Sequence, residues 1–238
     1  MITLNILHLY PREMNLYGDH GNVLALKKRC EWRGIPVQIL PYESGDPFPE
    51  QVDLIFGGGG QDSGQSRIEQ DLLSRKDQLR ALIADGTPAL VICGLYQLFG
   101  MSFHTLQGED LQGIGVFPAK TRAGRTRMVG NITIRTERFG QIVGFENHSG
   151  RTYLEGCAPL GTVVRGGGNN GKDHTEGAVW KNCIGTYLHG PILPKNPQLT
   201  DHLILTALRR RDPSVTALPQ LDDSLELAAH RSAAGRPR

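Results

Sequence analysis

The 238-residue sequence predicts an α/β fold: a mostly parallel central sheet with helices on both faces and added antiparallel strands in its second half. Three observations predict it. Over residues 3–99, short apolar runs alternate with amphipathic stretches. One of those runs, Ala89-Leu90-Val91-Ile92, passes through Cys93-Gly94 directly into Leu95, Leu98 and Phe99 at helical spacing. From Gly113 to Tyr187 the pattern changes to short β-rich runs divided by turn residues, with no long helix.

Taken in order, Thr3 to Leu9 alternates as a first strand, and residues 10–19 form a polar loop. Asp19 has the side chain of a helix N-cap for the amphipathic stretch Val23 to Trp32, which stops at Gly34. Val37 to Leu40 and Val52 to Phe56 are further strands, the latter running into Gly57-Gly58-Gly59-Gly60. A helix is expected from about Ser66 to Ala84, before the Ala89–Ile92 strand. Met128 to Arg135, Gln141 to Glu146, Gly161 to Val164, Gly177 to Lys181 and Cys183 to Leu188 are the strand candidates of the second half. Pro197 to Arg211 closes the domain as a helix with Leu203, Ile204, Ala207 and Leu208 on one side. Residues 1–211 thus read as one domain. Residues 212–238 read as a flexible tail, with a weak helix around Leu221 to Ala229.

Bulk properties narrow the function classes. Hydrophobic residues make up 39% of the chain, enough for a packed core, and the net charge of +2 gives no case for nucleic-acid binding. No window reaches the ~18 apolar residues of a membrane span, and the start lacks the basic region of a signal peptide. Cys30, Cys93, Cys157 and Cys183 are scattered, without a CxxC pair, so neither a zinc site nor a disulfide framework is expected. A reducing cytoplasm suits them.

The chemistry centres on Cys93. A strand turning sharply into a helix beside a glycine has the form of a nucleophile elbow, and the helix start offers free N–H groups and a positive dipole end that favour a thiolate. The same cysteine also fits a small buried core residue. A cysteine nucleophile needs a base. His189 ends the run Ile184-Gly185-Thr186-Tyr187-Leu188 and is stopped by Gly190-Pro191, so both it and Cys93 fall at strand ends. His148 is the rival base. The remaining histidines read as loop or surface residues. The four-glycine run can bring bare backbone to a substrate oxyanion, with the Gly94 or Leu95 N–H as a second donor. It lacks the Gly-Lys-Ser/Thr of a phosphate loop. Arg127, opening a β run, offers a fork for a carboxylate.

Phe56-Gly57-Gly58-Gly59, Ile92-Cys93-Gly94-Leu95-Tyr96-Gln97, Gly144-Phe145-Glu146-Asn147-His148 with Gly150-Arg151-Thr152, and Gly185-Thr186-Tyr187-Leu188-His189-Gly190-Pro191 occur together. In that order they resemble the cobyric-acid-synthase-like branch of class I glutamine amidotransferases. The opening Met14-Asn15-Leu16-Tyr17-Gly18-Asp19-His20-Gly21-Asn22 is similar to the stand-alone glutaminase subunits of lipid II isoglutaminyl synthases.

The resemblance implies a flavodoxin-like amidotransferase fold. It also implies Cys93 as nucleophile and His189 as base, Gly58 or Gly59 and Leu95 as oxyanion donors, and Arg127 as a glutamine-binding residue. It implies no cofactor or metal in this subunit. A Mur-ligase-like partner (MurT) would use ATP with Mg to amidate the D-glutamate α-carboxyl of lipid II, as a heterodimer in the cytoplasm at the inner face of the membrane. Many class I enzymes carry a Glu just after the histidine. Here Gly190, Pro191 and Ile192 follow it, and the third group is open. Service to a cobyrinate-type or other carboxylate substrate, and a catalytically silent scaffold, are the competing readings.

Overall fold

The computed structural model describes residues 2–237. Its elements are β1 (Leu4–Leu9), α1 (His20–Glu31), β2 (Val37–Tyr42), β3 (Leu54–Gly57), α2 (Asp62–Ser74), α3 (Lys76–Ala84), β4 (Ala89–Ile92) and α4 (Gly94–Phe99). There follow β5 (Ser102–His104), β6 (Asp110–Gln112), β7 (Ala119–Thr136), β8 (Gly140–Leu154), β9 (Gly161–Arg165), β10 (Thr175–Glu176), β11 (Ala178–Trp180) and β12 (Cys183–Thr186). α5 (Pro197–Arg211) and α6 (Ser224–Gly235) complete the chain.

Two six-stranded sheets share the work. The first runs β11-β12-β4-β3-β1-β2 and is parallel except for β11. Leu54 to Phe56 and Ala89 to Ile92 are fully buried, as uninterrupted apolar strands in the middle of a covered parallel sheet must be. The second sheet runs β10-β9-β7-β5-β6, with β8 paired along β7. The added strands of the second half therefore build a sheet of their own. One bridge joins it to the region of the first: Phe145 of β8 and His189 exchange both backbone hydrogen bonds, at 2.8 and 3.0 Å.

Two expectations are corrected. The single helix over 66–84 is two, α2 and α3, broken at Arg75, whose φ/ψ of −94°/0° leaves the helical region. The tail of residues 212–238 is not loose over its described part: α6 forms and is held to the domain. Arg29, with a side chain 3% exposed, meets Asp201 at 2.7 Å and Asp223 at 2.6 Å, and Arg33 pairs with Asp201 at 2.6 Å. A buried guanidinium needs such partners, and Asp223, at the start of α6, supplies one. Weak apolar content hid this packing, because beside Val215 and Leu218 the tail docks through ion pairs and backbone carbonyls.

Candidate active site

Cys93 lies between β4 and α4 at φ +48°, ψ −100°. A non-glycine residue there carries strain of order ~1–3 kcal/mol. The sequence dictates it. β4 is bonded on both sides, Cys93 N–H still donates to Thr186 O at 2.9 Å, and α4 begins at the very next residue. No room remains for a relaxed turn. The strained residue projects its thiol from the strand end, and 7% of Cys93 is exposed.

His189 comes from the other side. β12 stops at Thr186, three residues before it, so the expected strand to Leu188 is shorter than the sequence suggests. The Phe145 bridge, not β12, fixes its backbone. The ring is buried. Its edge meets Tyr17 at a centroid separation of 5.0 Å, and Nδ1 lies 3.2 Å from Asp19 Oδ2 and 3.3 Å from Oδ1. With Nδ1–H donating to that carboxylate, Nε2 is the ring nitrogen left free for the chemistry, and among the described residues it has no hydrogen-bond partner.

Asp19 corrects a second reading. Its side chain makes no cap bond; Asn15 Oδ1 takes the His20 N–H instead, at 2.8 Å. The freed carboxylate turns inward, fully buried, and accepts the Gly59 N–H at 2.7 Å. It is the orienting group missing after His189, contributed from 170 residues upstream. The sequence signal was an acidic residue at the end of a polar loop, which capping explained equally well.

Gly59 is where the three side chains converge. A Cβ there would stand 2.6 Å from His189 Cε1, 3.2 Å from Cys93 Cβ and 3.3 Å from Asp19 Oδ2. Only glycine leaves room for the histidine beside the cysteine. This also corrects its expected role: its N–H is bound to Asp19 and is not available to an oxyanion. At Gly58 an added Cβ would collide with the Met14 carbonyl oxygen, so this position too has no room for a side chain. Gly60 is the member of the run that lines the cavity with Cys93. Leu95, the second residue of α4, packs its side chain against Gly57, and its amide belongs to the first turn, whose N–H groups have no partner within the helix.

Electrostatics couple the pair. Burial alone would depress the His189 pKa, but the negative charge of Cys93 and the Asp19 carboxylate overcome it and push it up to about 10. A cationic imidazole beside sulfur is the arrangement that sustains a thiolate.

A cavity of about 590 Å³ opens over Cys93. Arg127 stands on its wall because four residues of β7, Gly124 to Arg127, bulge opposite Ser149 alone. Its Nε and NH2 donate to Asn147 Oδ1 and O at 2.8 and 2.7 Å, which fixes the guanidinium plane. Asp62, at the start of α2, faces the same space. Burial raises its pKa against the opposing pull of Arg127.

His148 also touches the cavity, yet its ring lies flat on Tyr187 at 3.6 Å and 5°, with Nδ1 on Gly150 O. Nε2 is 3.9 Å from Glu146. It is thereby held as part of the wall. His8, read as a surface residue, is 2% exposed within β1 and stacks on His20. Among the described residues no group of three or more His, Cys, Asp or Glu side chains is arranged to hold a metal ion, and no helix is long and apolar enough to cross a membrane.

Residues 5–197 match the CobB/CobQ-like glutamine amidotransferase domain. The chain is 42% identical over 212 residues to the lipid II isoglutaminyl synthase (glutamine-hydrolyzing) subunit GatD of Staphylococcus aureus N315, covering 89% of this chain and 87% of that protein. It is 41% identical over 226 residues to the GatD subunit of Streptococcus pneumoniae R6, covering 93% and 87%. The solved structure of PurLQS from Thermotoga maritima superposes with a TM-score of 0.62 at 15% identity, over 87% of this chain and all of that one, which is a likeness of fold. An elbow cysteine facing a carboxylate-oriented histidine, on this sheet order and with these relatives, makes the chain a member of the CobB/CobQ-like class I glutamine amidotransferases, within the GatD family.

Proposed function

We propose that this chain is the glutaminase subunit of a lipid II isoglutaminyl synthase. The observation that carries the reading is the convergence of Cys93, His189 and Asp19 around Gly59. Family membership supplies the reaction class.

The chemistry follows from the geometry. Glutamine enters the cavity with its α-carboxylate on the Arg127 fork and its α-ammonium toward Asp62. The Cys93 sulfur adds to the side-chain amide carbon, and the oxyanion takes N–H groups at the start of α4 and from Gly60. His189 passes its proton to the amide nitrogen, the C–N bond breaks, and ammonia leaves a glutamyl thioester. Water then adds to the thioester as His189 takes its proton. The C–S bond breaks, and glutamate departs with the thiol restored. Asp19 keeps Nδ1 protonated and Nε2 toward sulfur throughout.

Ammonia then serves a Mur-ligase-like partner (MurT), where ATP and Mg would activate the D-glutamate α-carboxyl of lipid II. Nothing in the Cys93 chemistry calls for a cofactor in this subunit. Cytoplasmic placement suits four free cysteines and a membrane-bound acceptor made at the inner face.

A glutamine-mimicking diazo-ketone tests the reading. It should label Cys93 and stop ammonia release, and Cys93→Ala should leave free ammonia as the only nitrogen donor for the complex. Labelling elsewhere, or glutamine use by the alanine variant, overturns it.

A further inference from the structure

Two adjoining cavities lie at the amino ends of β4 and β12, the opposite end of the parallel strands from Cys93. They hold about 360 and 520 Å³ and share Arg138, Asn182 and His202. The larger is lined by those three with Thr206, Arg209 and Arg210: every one has a hydrogen-bond donor and none is acidic. Arg135 and Lys181 stand in the smaller, with Glu137. Arg210 is paired with Asp85, and Lys181 donates to the Ala84 carbonyl. Arg209 is bound to two neutral carbonyls, of Val215 and Thr216, and makes no ion pair among the described residues.

Arg138 shows the imbalance best. Its NH1 donates at 3.1 Å to His202 Nε2, a neutral acceptor, where an unconstrained guanidinium would take a carboxylate. Burial, then the charges of Arg138 and Arg209, hold His202 down to about 4, so the imidazole stays neutral and accepts. Phe139 packs on its ring at 5.2 Å and fixes it. Two guanidiniums thus border one concave, donor-lined space, and neither forms an ion pair with a carboxylate among the described residues.

The geometry points to a second ligand site in this cavity, taking a phosphate-bearing anion through Arg138 and Arg209, with Thr206 and Asn182 as neutral contacts. A tetrahedral, multiply charged group matches forked donors set around a hollow. Because the site is remote from Cys93, its ligand does not compete with glutamine. The same group is carried by soluble phosphate esters and by anionic lipid headgroups.

The test uses the full chain and inorganic pyrophosphate, titrated calorimetrically at low salt. Saturable binding is expected. The Arg138→Gln/Arg209→Gln double variant should weaken it by at least about tenfold, with glutamine hydrolysis at the wild-type rate. No saturable binding, or equal binding by the variant, overturns the proposal. Should that variant fold poorly, phenylglyoxal modification of the wild-type chain decides. Pyrophosphate should shield Arg138 and Arg209 and leave Arg12, whose side chain is 88% exposed, unshielded; no selective shielding overturns the site. Vesicles of phosphatidylglycerol with phosphatidylcholine, against phosphatidylcholine alone, then separate the sources. Co-sedimentation only with the former, lost in the variant, supports the site with a lipid headgroup as its ligand. Pyrophosphate binding without co-sedimentation supports it with a soluble ester.

Discussion

Asp19 Oδ2 sits 3.2 Å from His189 Nδ1 while the same oxygen accepts the Gly59 N–H at 2.7 Å. One carboxylate therefore orients the imidazole and anchors the glycine loop. In Asp19→Asn the amide oxygen can still accept from Gly59, but the neutral amide puts an NH₂ in place of the second oxygen near Nδ1 and no longer stabilises the charged imidazole. The glutaminase kcat should fall roughly 100-fold or more with KM within a few-fold. Steady-state kinetics on the purified complex check this. An unchanged kcat removes Asp19 from the mechanism.

Of the groups that raise the histidine's pKa, the neighbouring Cys93 acts most strongly. Removing that charge in Cys93→Ala should lower the His189 pKa from its value of about 10, read by NMR titration of the ring. The stability side has a definite sign. A folded pKa above the ordinary 6.5 contributes stability that is fully present below pH 6.5 and lost as pH rises through about 10. The alanine variant should therefore show a smaller loss over that window in denaturant titrations.

Gly59→Ala tests the space between the groups. The added methyl meets His189 Cε1 at 2.6 Å and Cys93 Cβ at 3.2 Å, both on backbone-anchored rigid side chains. Overpacking of this kind costs about 1–3 kcal/mol. Thermal unfolding should show that modest loss, while diazo-ketone labelling of Cys93 becomes far slower.

Arg127 should separate binding from chemistry. Arg127→Ala removes a fork aligned by Asn147 and should raise KM for glutamine about tenfold or more, with a smaller change in kcat. Arg127→Lys should recover little, because an ammonium cannot reproduce two parallel donors. Equal KM in all three proteins would show that glutamine lies elsewhere.

Glu176 offers a pH test away from the cavity. Burial pushes its carboxyl up to about 8, against hydrogen bonds from the Tyr187 N–H and Thr186 hydroxyl that pull it down. The native state then holds a proton that the unfolded chain releases above pH ~4.5, so its contribution to stability is full below that pH and declines up to about 8. Glu176→Gln should flatten this decline and be relatively more stable at pH 8, by denaturant titration at several pH values.

The sequence by itself determined the α/β rhythm, the elbow at Cys93 and the pairing of that residue with His189 as candidates, since each rests on neighbours in the chain: buried apolar runs, a glycine after the strand, a strand stopped by Gly-Pro. Arg127 offered a carboxylate fork at the start of a β run, owed its glutamine-binding role to resemblance, and owes its place on the cavity to a bulge of β7. Only the tertiary structure decided what Asp19 does. Local rules saw a helix cap, while the carboxylate is claimed by a glycine 40 residues away and a histidine 170 residues away. It likewise made Gly59 a spacer and docked the terminal helix through Arg29. Apolar periodicity is written in short stretches of chain. Buried polar partners are chosen by whichever group the fold brings within 3 Å, and no local pattern records that choice.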